Sequence, residues 1–199
     1  MGPIGVLSLQ GDFREHLATL EALSVATVKV RKPSDLEGIS GLIIPGGEST
    51  VIDKLSKIYN LREPIKKLMA KGLPVFGTCA GLIMLADKLE DATETQETFG
   101  GLDVVVQRNA FGSQANSFET TLDFKGIAGP IAAAFIRAPV VVEIGTNVET
   151  LASLPNGEIV AVRQGNLLGI SFHPEVCDET AVHAYFVEMC KTANFGASN

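Results

Sequence analysis

The sequence predicts an α/β fold with one doubly wound, mostly parallel sheet and helices on both of its faces. Two observations predict it. Short β-branched runs alternate with stretches of helical periodicity, and this alternation is typical of βαβ crossover units. The 199 residues are 46% hydrophobic and 20% charged, which allows a core that covers a sheet on both faces. Because the sequence shows no repeat and no linker, we expect a single domain spanning residues 1–199.

The first half of the chain supplies the alternating units. Asp12 is a candidate N-cap, because the apolar residues Phe13, Leu17 and Leu20 follow it at helical spacing. The predicted strands of this half are Ile4–Leu9, Val25–Val30, Gly41–Ile44 and Leu73–Gly77. The predicted helices begin after Asp12 and near Ser49, and cover Leu61–Lys71 and Leu82–Leu89.

The second half is richer in strands. A last helix is expected from Glu179 to Lys191, where apolar residues form one stripe. The polar stretch Asp91–Gly101 is expected to be an exposed loop. The predicted strands are Leu102–Gln107, Ala132–Arg137, Val140–Ile144, Ile159–Gln164 and Leu167–Phe172.

Charge and apolar patterning exclude several classes of protein. Sixteen basic against 23 acidic residues give a net charge of −7, which argues against nucleic-acid binding and against adsorption on anionic membranes. No run reaches the roughly 18 apolar residues that cross a bilayer, and the N-terminus lacks a signal peptide's basic region. Three cysteines cannot all pair with one another. We therefore expect a cytoplasmic protein in which one thiol can be reactive.

The most informative motif is Gly77-Thr78-Cys79-Ala80-Gly81, between an apolar strand and a helix. Glycines on both sides permit the sharp strand-to-helix turn of a nucleophile elbow. Such a turn presents Cys79 at the carboxyl edge of the sheet, where a helix N-terminus favours the thiolate. The N–H of Ala80 then points to where an oxyanion forms. The alternative is that Cys79 is a small core residue, the commonest fate of a free cysteine.

A cysteine nucleophile needs a base, and the base needs an orienting group. His16 and His183 fall inside predicted helices, where a surface or packing role is expected. His173 differs, because it ends an apolar strand and precedes Pro174, which holds it in extended geometry. Glu175 follows two residues on and can fix the tautomer of the imidazole, as acids do in other triads.

The third motif is Pro45-Gly46-Gly47-Glu48-Ser49-Thr50, directly after the predicted strand that ends at Ile44. Its glycines let the backbone approach a ligand and turn N–H groups toward it. It lacks the Gly-Lys-Ser/Thr of a phosphate loop, so nucleotide binding is not supported. Two interpretations stay open: an ordinary turn with Ser49 as the cap, or a second oxyanion donor.

With these motifs together, the sequence resembles class I, triad-type glutamine amidotransferases, which have a flavodoxin-like fold. Within that class it resembles the family of glutaminase subunits of pyridoxal 5′-phosphate synthase. The resemblance runs from about Gly5 to Met189. Beyond the three motifs above, its family features are Leu9-Gln10-Gly11-Asp12 with Arg14-Glu15-His16, Arg108-Asn109 with Phe111-Gly112, Ser117-Phe118-Glu119 and Ile136-Arg137-Ala138-Pro139.

The resemblance implies hydrolysis of L-glutamine through a thioester on Cys79, with His173 and Glu175 completing a triad. It implies an oxyanion hole at Gly47 and Ala80, and no metal. The positions that match the family's glutamine-binding residues are Gly47, Glu48, Ser49, Arg108, Ile136 and Arg137. From the pattern alone, both arginines are equally compatible with solvated charges at strand ends.

The resemblance also implies a partner. Ammonia would pass to a separate synthase subunit that makes pyridoxal 5′-phosphate, so this compound would be the product of the complex and no cofactor is expected here. The Gln10-Gly11-Asp12 region is a plausible contact, and docking would complete the oxyanion hole near Gly46-Gly47. Two alternatives are a glutaminase subunit of another amidotransferase, such as imidazole glycerol phosphate synthase, and a non-catalytic docking subunit.

The sequence departs from the family pattern in two places. Many members carry a basic residue where this chain has Ser113, which affects a partner contact or ion pair there. Many also have Leu-Thr after the His-Pro-Glu motif, where this chain has Val176-Cys177. We expect Cys177 to be a loop residue without a role and Cys190, in the apolar stripe of the last helix, to be a core residue.

Overall fold

The computed structural model describes residues 1–90, 96–108, 110, 117–193 and 195. The strands are β1 Ile4–Leu7, β2 Thr27–Val30, β3 Gly41–Ile44, β4 Val75–Thr78, β5 Ala86–Leu89, β6 Leu102–Gln107, β7 Phe118–Asp123, β8 Pro130–Phe135, β9 Val140–Ile144, β10 Glu149–Ser153, β11 Ile159–Gln164 and β12 Leu167–Ile170. The helices are α1 Phe13–Ala22, α2 Ser49–Ile58, α3 Arg62–Ala70, α4 Ala80–Leu85 and α5 Ala181–Ala193. Short 3-10 turns cover Pro33–Leu36 and Pro174–Val176.

One large sheet has the strand order β2-β1-β3-β4-β12-β11-β9-β6-β5, with β10 paired to β11 beside this path. Neighbouring strands are parallel from β2 to β12 and again between β5 and β6. The pairs β12–β11, β11–β9 and β9–β6 are antiparallel. A separate antiparallel hairpin joins β7 to β8. The predicted class, a doubly wound α/β sheet, is confirmed.

The central strands are buried along their whole length, because helices cover both faces of the sheet. Every residue of β1, β3 and β4 is buried. On one face, Ile43 of β3 packs in a core with Leu20 of α1 and Phe186 of α5. On the other face, Ile44 packs in a core with Ile52 of α2. Adjacent strand residues point to opposite faces, which explains why these strands are continuously apolar rather than alternating.

The topology directs four chain segments to one edge of the sheet. Strands β1, β3, β4 and β12 lie side by side and run parallel, so the segments that follow them emerge together. The chain also reverses direction across the sheet at β1, because β2 lies on one side of it and β3 on the other. Such a switch point leaves a crevice at the carboxyl ends of the strands, where open α/β sheets bind ligands.

The prediction of a helix over Leu82–Leu89 is wrong in its second half. Helix α4 ends at Leu85, and Ala86–Leu89 forms β5. The returning chain ends the helix, because the N–H of Phe99 donates to the Met84 carbonyl at 2.7 Å. Strand β6 then offers parallel pairing to the residues beyond. Tertiary pairing thus overrides the local helical pattern.

Besides β5, two further strands, β7 and β10, were not predicted. Strand β7 is mostly exposed and mixes charged residues with threonines, while β10 pairs with β11 through irregular register. Neither shows the clean alternation that identifies a strand from sequence. In the predicted exposed loop, residues 91–95 lie outside the described part of the chain, and Phe99 is buried. The predicted burial of Cys190 in the last helix is confirmed.

None of the helices in the described part of the chain combines the length and the apolarity that crossing a bilayer requires.

Replacing Phe186 with alanine is expected to destabilise the fold by about 3–5 kcal/mol, since the fully buried ring leaves a cavity that the core cannot close. Urea denaturation measures the loss. Ile58→Ala is the control, because Ile58 is 58% exposed and should change stability by no more than about 0.5 kcal/mol. Equal losses in both variants would contradict the assignment of the core.

Candidate active site

Cys79 occupies the turn between β4 and α4 in a conformation that most side chains avoid. Its φ is +49°, in the left-handed region that costs energy for a residue with a Cβ. Its N–H donates to the carbonyl of Ile170 at 2.8 Å, which anchors the turn to β12. The flanking glycines are required by packing: a Cβ on Gly77 would strike the Gly81 carbonyl, and one on Gly81 would strike the Ile44 carbonyl oxygen. The structure therefore has the predicted elbow.

His173 and Glu175 lie beside Cys79, one strand away. The N–H of His173 donates to the Ala134 carbonyl at 2.8 Å, which fixes the residue after the end of β12. The 3-10 turn that begins at Pro174 brings Glu175 back under the ring. Its Oε1 lies 2.9 Å from His173 Nδ1, and both side chains are buried. A side-chain interaction of His173 with Cys79 also raises the pKa of the ring.

The imidazole of His173 is held in its protonated form. Burial alone would lower its pKa, but the hydrogen bonds and charges of Cys79 and Glu175 outweigh burial and raise the pKa from 6.5 to about 10. At neutral pH the ring therefore carries a proton on both nitrogens. The arrangement suits a thiolate attack followed by proton donation from His173.

Asp12 does not have the role that its position predicts. It lies at the N-cap of α1 but makes no capping hydrogen bond with its side chain. Its Oδ2 instead lies 3.6 Å from His173 Nδ1. Ligand atoms of Asp12, His173 and Glu175 fall within 4.8 Å of one another. A metal there would take Nδ1 away from the hydrogen bond that orients the ring, so the geometry favours acid–base chemistry over metal binding.

A cavity of about 320 Å³ opens beside the thiol, at the lower end of the volumes of small-molecule sites. Its lining residues are Gln10, Asp12, Gly47, Glu48, Ser49, Cys79, Ile83, Arg108, Ile136, Arg137 and His173. Of the residues predicted for the site, only Ala80 and Glu175 lie outside this lining. Ala80 begins α4, so its N–H has no acceptor within the helix. Glu175 lies behind His173.

The glycine loop after β3 packs tightly against two other parts of the site. A Cβ on Gly46 would strike His173 Cε1, and one on Gly11 would strike the Gly46 carbonyl oxygen. The N–H of Asp12 donates to the Gly46 carbonyl at 3.2 Å. The N–H of Glu48 donates to Gln10 Oε1 at 3.0 Å. Residues 10–12 and 46–48 are therefore joined at both ends, a contact that the sequence did not predict.

Ser49 and Arg108 are linked by a residue that sequence reasoning missed. Arg108 Nη1 donates to Gln96 Oε1 at 2.6 Å, and Gln96 Nε2 donates to Ser49 Oγ at 2.9 Å. Gln96 belongs to no recognisable sequence motif. It lies in a polar loop, next to residues outside the described part of the chain. The family features Asn109 and Phe111-Gly112, and the departure at Ser113, also lie outside the described residues.

Ile136 and Arg137 form the wall of the cavity that faces the glycine loop. They follow β8 directly, and Arg137 has a φ of +46°. Ile136 is 41% exposed, which is high for a β-branched side chain. Both residues line the cavity rather than simply facing solvent. Non-glycine residues with a positive φ, such as Arg137, are concentrated at ligand-binding sites.

The expectation of a helix-surface position for His16 and His183 is wrong, because both are fully buried. The alternative expectation, a packing role, is confirmed. His16 Nδ1 lies 2.8 Å from His183 Nε2, across the interface of α1 and α5. Burial lowers the pKa of His16 well below 6.5, with His183 adding to this effect, and burial lowers the pKa of His183 to about 4. Both rings are therefore neutral at physiological pH.

The other two cysteines have less reactive environments. Cys177 is partly buried at the end of the 3-10 turn. Burial raises its pKa, and the charges of Glu119 and Glu175 add to the effect. Burial raises the pKa of Cys190 to about 12. Neither side chain lines the cavity that holds Cys79.

Fold and site together define an open α/β protein in which a cysteine elbow faces a histidine–glutamate pair. Comparison with known proteins narrows the class. The family model of the SNO glutamine amidotransferase family matches residues 6–192. The chain belongs to the SNO glutamine amidotransferase family.

Relatives of known name agree with this assignment. The chain is 57% identical to the pyridoxal 5′-phosphate synthase subunit PdxT of Clavibacter sepedonicus, covering 96% of this chain and 93% of the relative. It is 53% identical to the same subunit of a Nocardioides species, covering 94% of each. A crystal structure of a glutamine amidotransferase superposes with a TM-score of 0.90 at 46% identity, covering 96% of this chain and all of the other.

The titration of His173 is expected to show a raised pKa. By NMR its ring should stay protonated from pH 6 to 8, while His16 and His183 stay neutral at pH 7. Cys79→Ser and Glu175→Gln should each lower the pKa of His173, because each removes a group that raises it. A wild-type ring that titrates near 6.5 would contradict this electrostatic description.

Stability is expected to fall in mild acid because two neutral histidines are buried. The folded-state pKa of His183, about 4, lies below the usual 6.5, so the unfolded chain binds more protons below pH 6.5. The free energy of unfolding should then drop as pH falls from 6.5 toward 4, by up to about 1.4 kcal/mol per pH unit for each histidine. His173 adds nothing in this range, because it is protonated in both states. His183→Gln should show a shallower slope in urea denaturation; an unchanged slope would refute the assignment.

Proposed function

We propose that this chain is the glutaminase subunit of a pyridoxal 5′-phosphate synthase, and that Cys79, His173 and Glu175 carry out the hydrolysis of L-glutamine. One observation carries the proposal. The strained Cys79 elbow and His173, which Glu175 holds from behind, meet at the wall of a single cavity where two adjacent parallel strands end. Membership of the SNO glutamine amidotransferase family supplies the substrate class.

The reaction follows from the protonation states. The Cys79 thiolate attacks the side-chain amide carbon of glutamine and forms a tetrahedral oxyanion. His173 then gives a proton to the leaving nitrogen, ammonia departs, and a γ-glutamyl thioester remains. Water attacks the thioester as His173 takes up its proton, and glutamate is released with the thiolate restored. Glu175 holds the Nδ1–H of His173 throughout, which fixes the direction of the ring.

The oxyanion is assigned to two backbone N–H groups. Ala80 offers the first N–H of α4, directly after the nucleophile. Gly47, with a φ of +142°, lies across the cavity in a loop that presents backbone instead of side chains. Donors placed before reaction stabilise the developing charge without reorganisation.

Glutamine binding is assigned to the remaining lining of the cavity. Its free amino acid ends carry one positive and one negative charge, and the cavity offers both complements. Arg108 and Arg137 supply positive charge for the α-carboxylate, while Glu48 supplies negative charge for the α-ammonium. Ser49, tied to Arg108 through Gln96, and Ile136 complete the wall.

The acceptor of ammonia is assigned to a separate synthase subunit, and the pair is expected to act in the cytoplasm. The curated relatives are themselves named as subunits of pyridoxal 5′-phosphate synthase. The same names favour this partner over imidazole glycerol phosphate synthase. The complete triad weighs against a non-catalytic docking subunit.

Docking of the synthase is proposed to control the oxyanion hole. The segment 10–12 is the expected contact, and its Gln10 side chain accepts the N–H of Glu48. The backbone of Gly46 is hydrogen bonded to Asp12 in turn. A partner that moves Gln10 would therefore shift the peptide of Gly47, which changes one of the two oxyanion donors.

Glutamate release in the presence and absence of the cognate synthase tests the proposed function. Wild type should be slow alone and faster with the partner, and Cys79→Ala should lose at least about a thousandfold in rate. Cys177→Ala is the matched control and should keep its rate, because its thiol does not line the cavity. Undiminished hydrolysis by Cys79→Ala would exclude the proposed nucleophile, and equal rates with and without synthase would exclude control by docking.

A further inference from the structure

A buried series of contacting polar side chains lies behind the proposed triad, and the proposed reaction does not use it. His183, His16 and Thr78 are each fully buried. His16 Nδ1 lies 2.8 Å from His183 Nε2, and His16 Nε2 lies 3.1 Å from Thr78 Oγ1. The same Nε2 lies 3.4 Å from Glu175 Oε1. This series of contacts thus connects α5, through α1, with the carboxylate of Glu175, which hydrogen bonds with His173.

The hydrogen-bonding partners decide which nitrogens carry protons. Both rings are neutral, so each has one N–H and one bare nitrogen. His183 Nδ1 is buried and has no hydrogen-bond partner among the residues that the structure describes. An N–H is costlier to leave unpaired there, so His183 carries its proton on Nε2 and donates to His16 Nδ1. His16 then carries its proton on Nε2, facing Thr78 and Glu175.

We propose that His16 is a positioning residue: its Nε2–H donates to Thr78 Oγ1, and the same polar N–H, 3.4 Å from Glu175 Oε1, keeps this carboxylate aimed at His173. In this arrangement His183 sets the tautomer of His16. The opposite tautomer would turn the bare Nε2 toward a carboxylate, which repels it. The inference rests on the proposed function, since it explains how the third member of the triad is held.

The surroundings of His16 make a neutral donor effective. Its ring packs edge-on to Phe76, with centroids 6.2 Å apart, and Phe76 packs on His183 in the same way at 5.5 Å. The titratable groups that face His16 are His183, Glu175 and His173. Glu175 Oε1 hydrogen bonds with His173 Nδ1 and lies 3.4 Å from His16 Nε2, while Oε2 has no hydrogen-bond partner in the described residues. Two N–H groups that face one oxygen favour a single rotation of the carboxylate.

A matched pair of variants separates positioning from packing. In His16→Gln the amide N–H₂ reaches the place of Nε2, where it can still donate to Thr78 and face Glu175. In His16→Asn the amide reaches only the place of Nδ1, so the contact with His183 survives and the N–H beside Thr78 and Glu175 is lost. Both are made in the full chain carrying Cys177→Ser, and both are assayed with the synthase bound.

The two variants are expected to differ in kcat and in pH profile. His16→Asn should lose about tenfold in kcat, the effect of losing a polar contact with a charged group. Its KM should stay within about twofold, because His16 does not line the cavity. Since Glu175 raises the pKa of His173, a misplaced carboxylate should lower that pKa, and the alkaline limb of kcat/KM should move to lower pH. His16→Gln should keep the wild-type kcat and the wild-type pH dependence of kcat/KM. Equal kcat values and equal pH profiles in the two variants would overturn the proposal.

Alkylation of Cys79 by iodoacetamide gives a readout that does not need glutamine turnover. The alkylation rate at pH 7 should fall in His16→Asn and not in His16→Gln, because a displaced Glu175 holds the His173 ring less firmly against the Cys79 sulfur. If wild type releases no glutamate, the proposed function fails, and this comparison of alkylation rates alone decides the role of His16. If His16→Asn does not fold, His183→Asn against His183→Gln should show a smaller change of the same sign; no difference in that pair would overturn the proposal.

Discussion

The parallel pairing of β4 with β12 is the interaction on which the site depends. Thr78 lies opposite Ile170 in this register, and the N–H of Cys79 extends the ladder by one more bond to the same strand. Cys79 and His173, the proposed nucleophile and base, come from distant parts of the chain, and they meet because both strands end together. The positive φ of Cys79 is tolerated because this bond and the glycine contacts on either side over-determine the turn.

Burial and charge oppose each other at His173, and the balance defines its chemistry. A buried imidazole would ordinarily be neutral, as His16 and His183 are in this structure. His173 is protonated because its hydrogen bonds and charge interactions with Cys79 and Glu175 outweigh burial. The same apolar interior that strengthens these interactions makes them indispensable, since a buried cation without partners is strongly disfavoured. The same buried region therefore keeps His173 protonated while His16 and His183 stay neutral.

The local sequence pattern was sufficient to predict features that are determined by residues adjacent in sequence. The Cys79 elbow, the His173-Pro174-Glu175 turn and the buried strands all follow from residues adjacent in sequence. Contacts between distant helices had no such signal: His16 and His183 lie in α1 and α5, and they meet because both helices cover the same face of the sheet. Gln96 was missed for the same reason. Strand β5 was misread because its partner β6 supplies the decisive hydrogen bonds.

The face of the sheet that carries α1 and α5 therefore serves stability and chemistry together. Phe76 contacts His16 and His183, and its ring also packs on Phe186 at 5.5 Å between centroids. These rings exclude water from the two histidines and so keep them neutral. A neutral histidine pair has one consistent direction of donation, from His183 through His16 to Thr78, beside Glu175. On the proposed role of His16, packing in this core also sets the orientation of Glu175, although none of these four side chains lines the cavity beside Cys79.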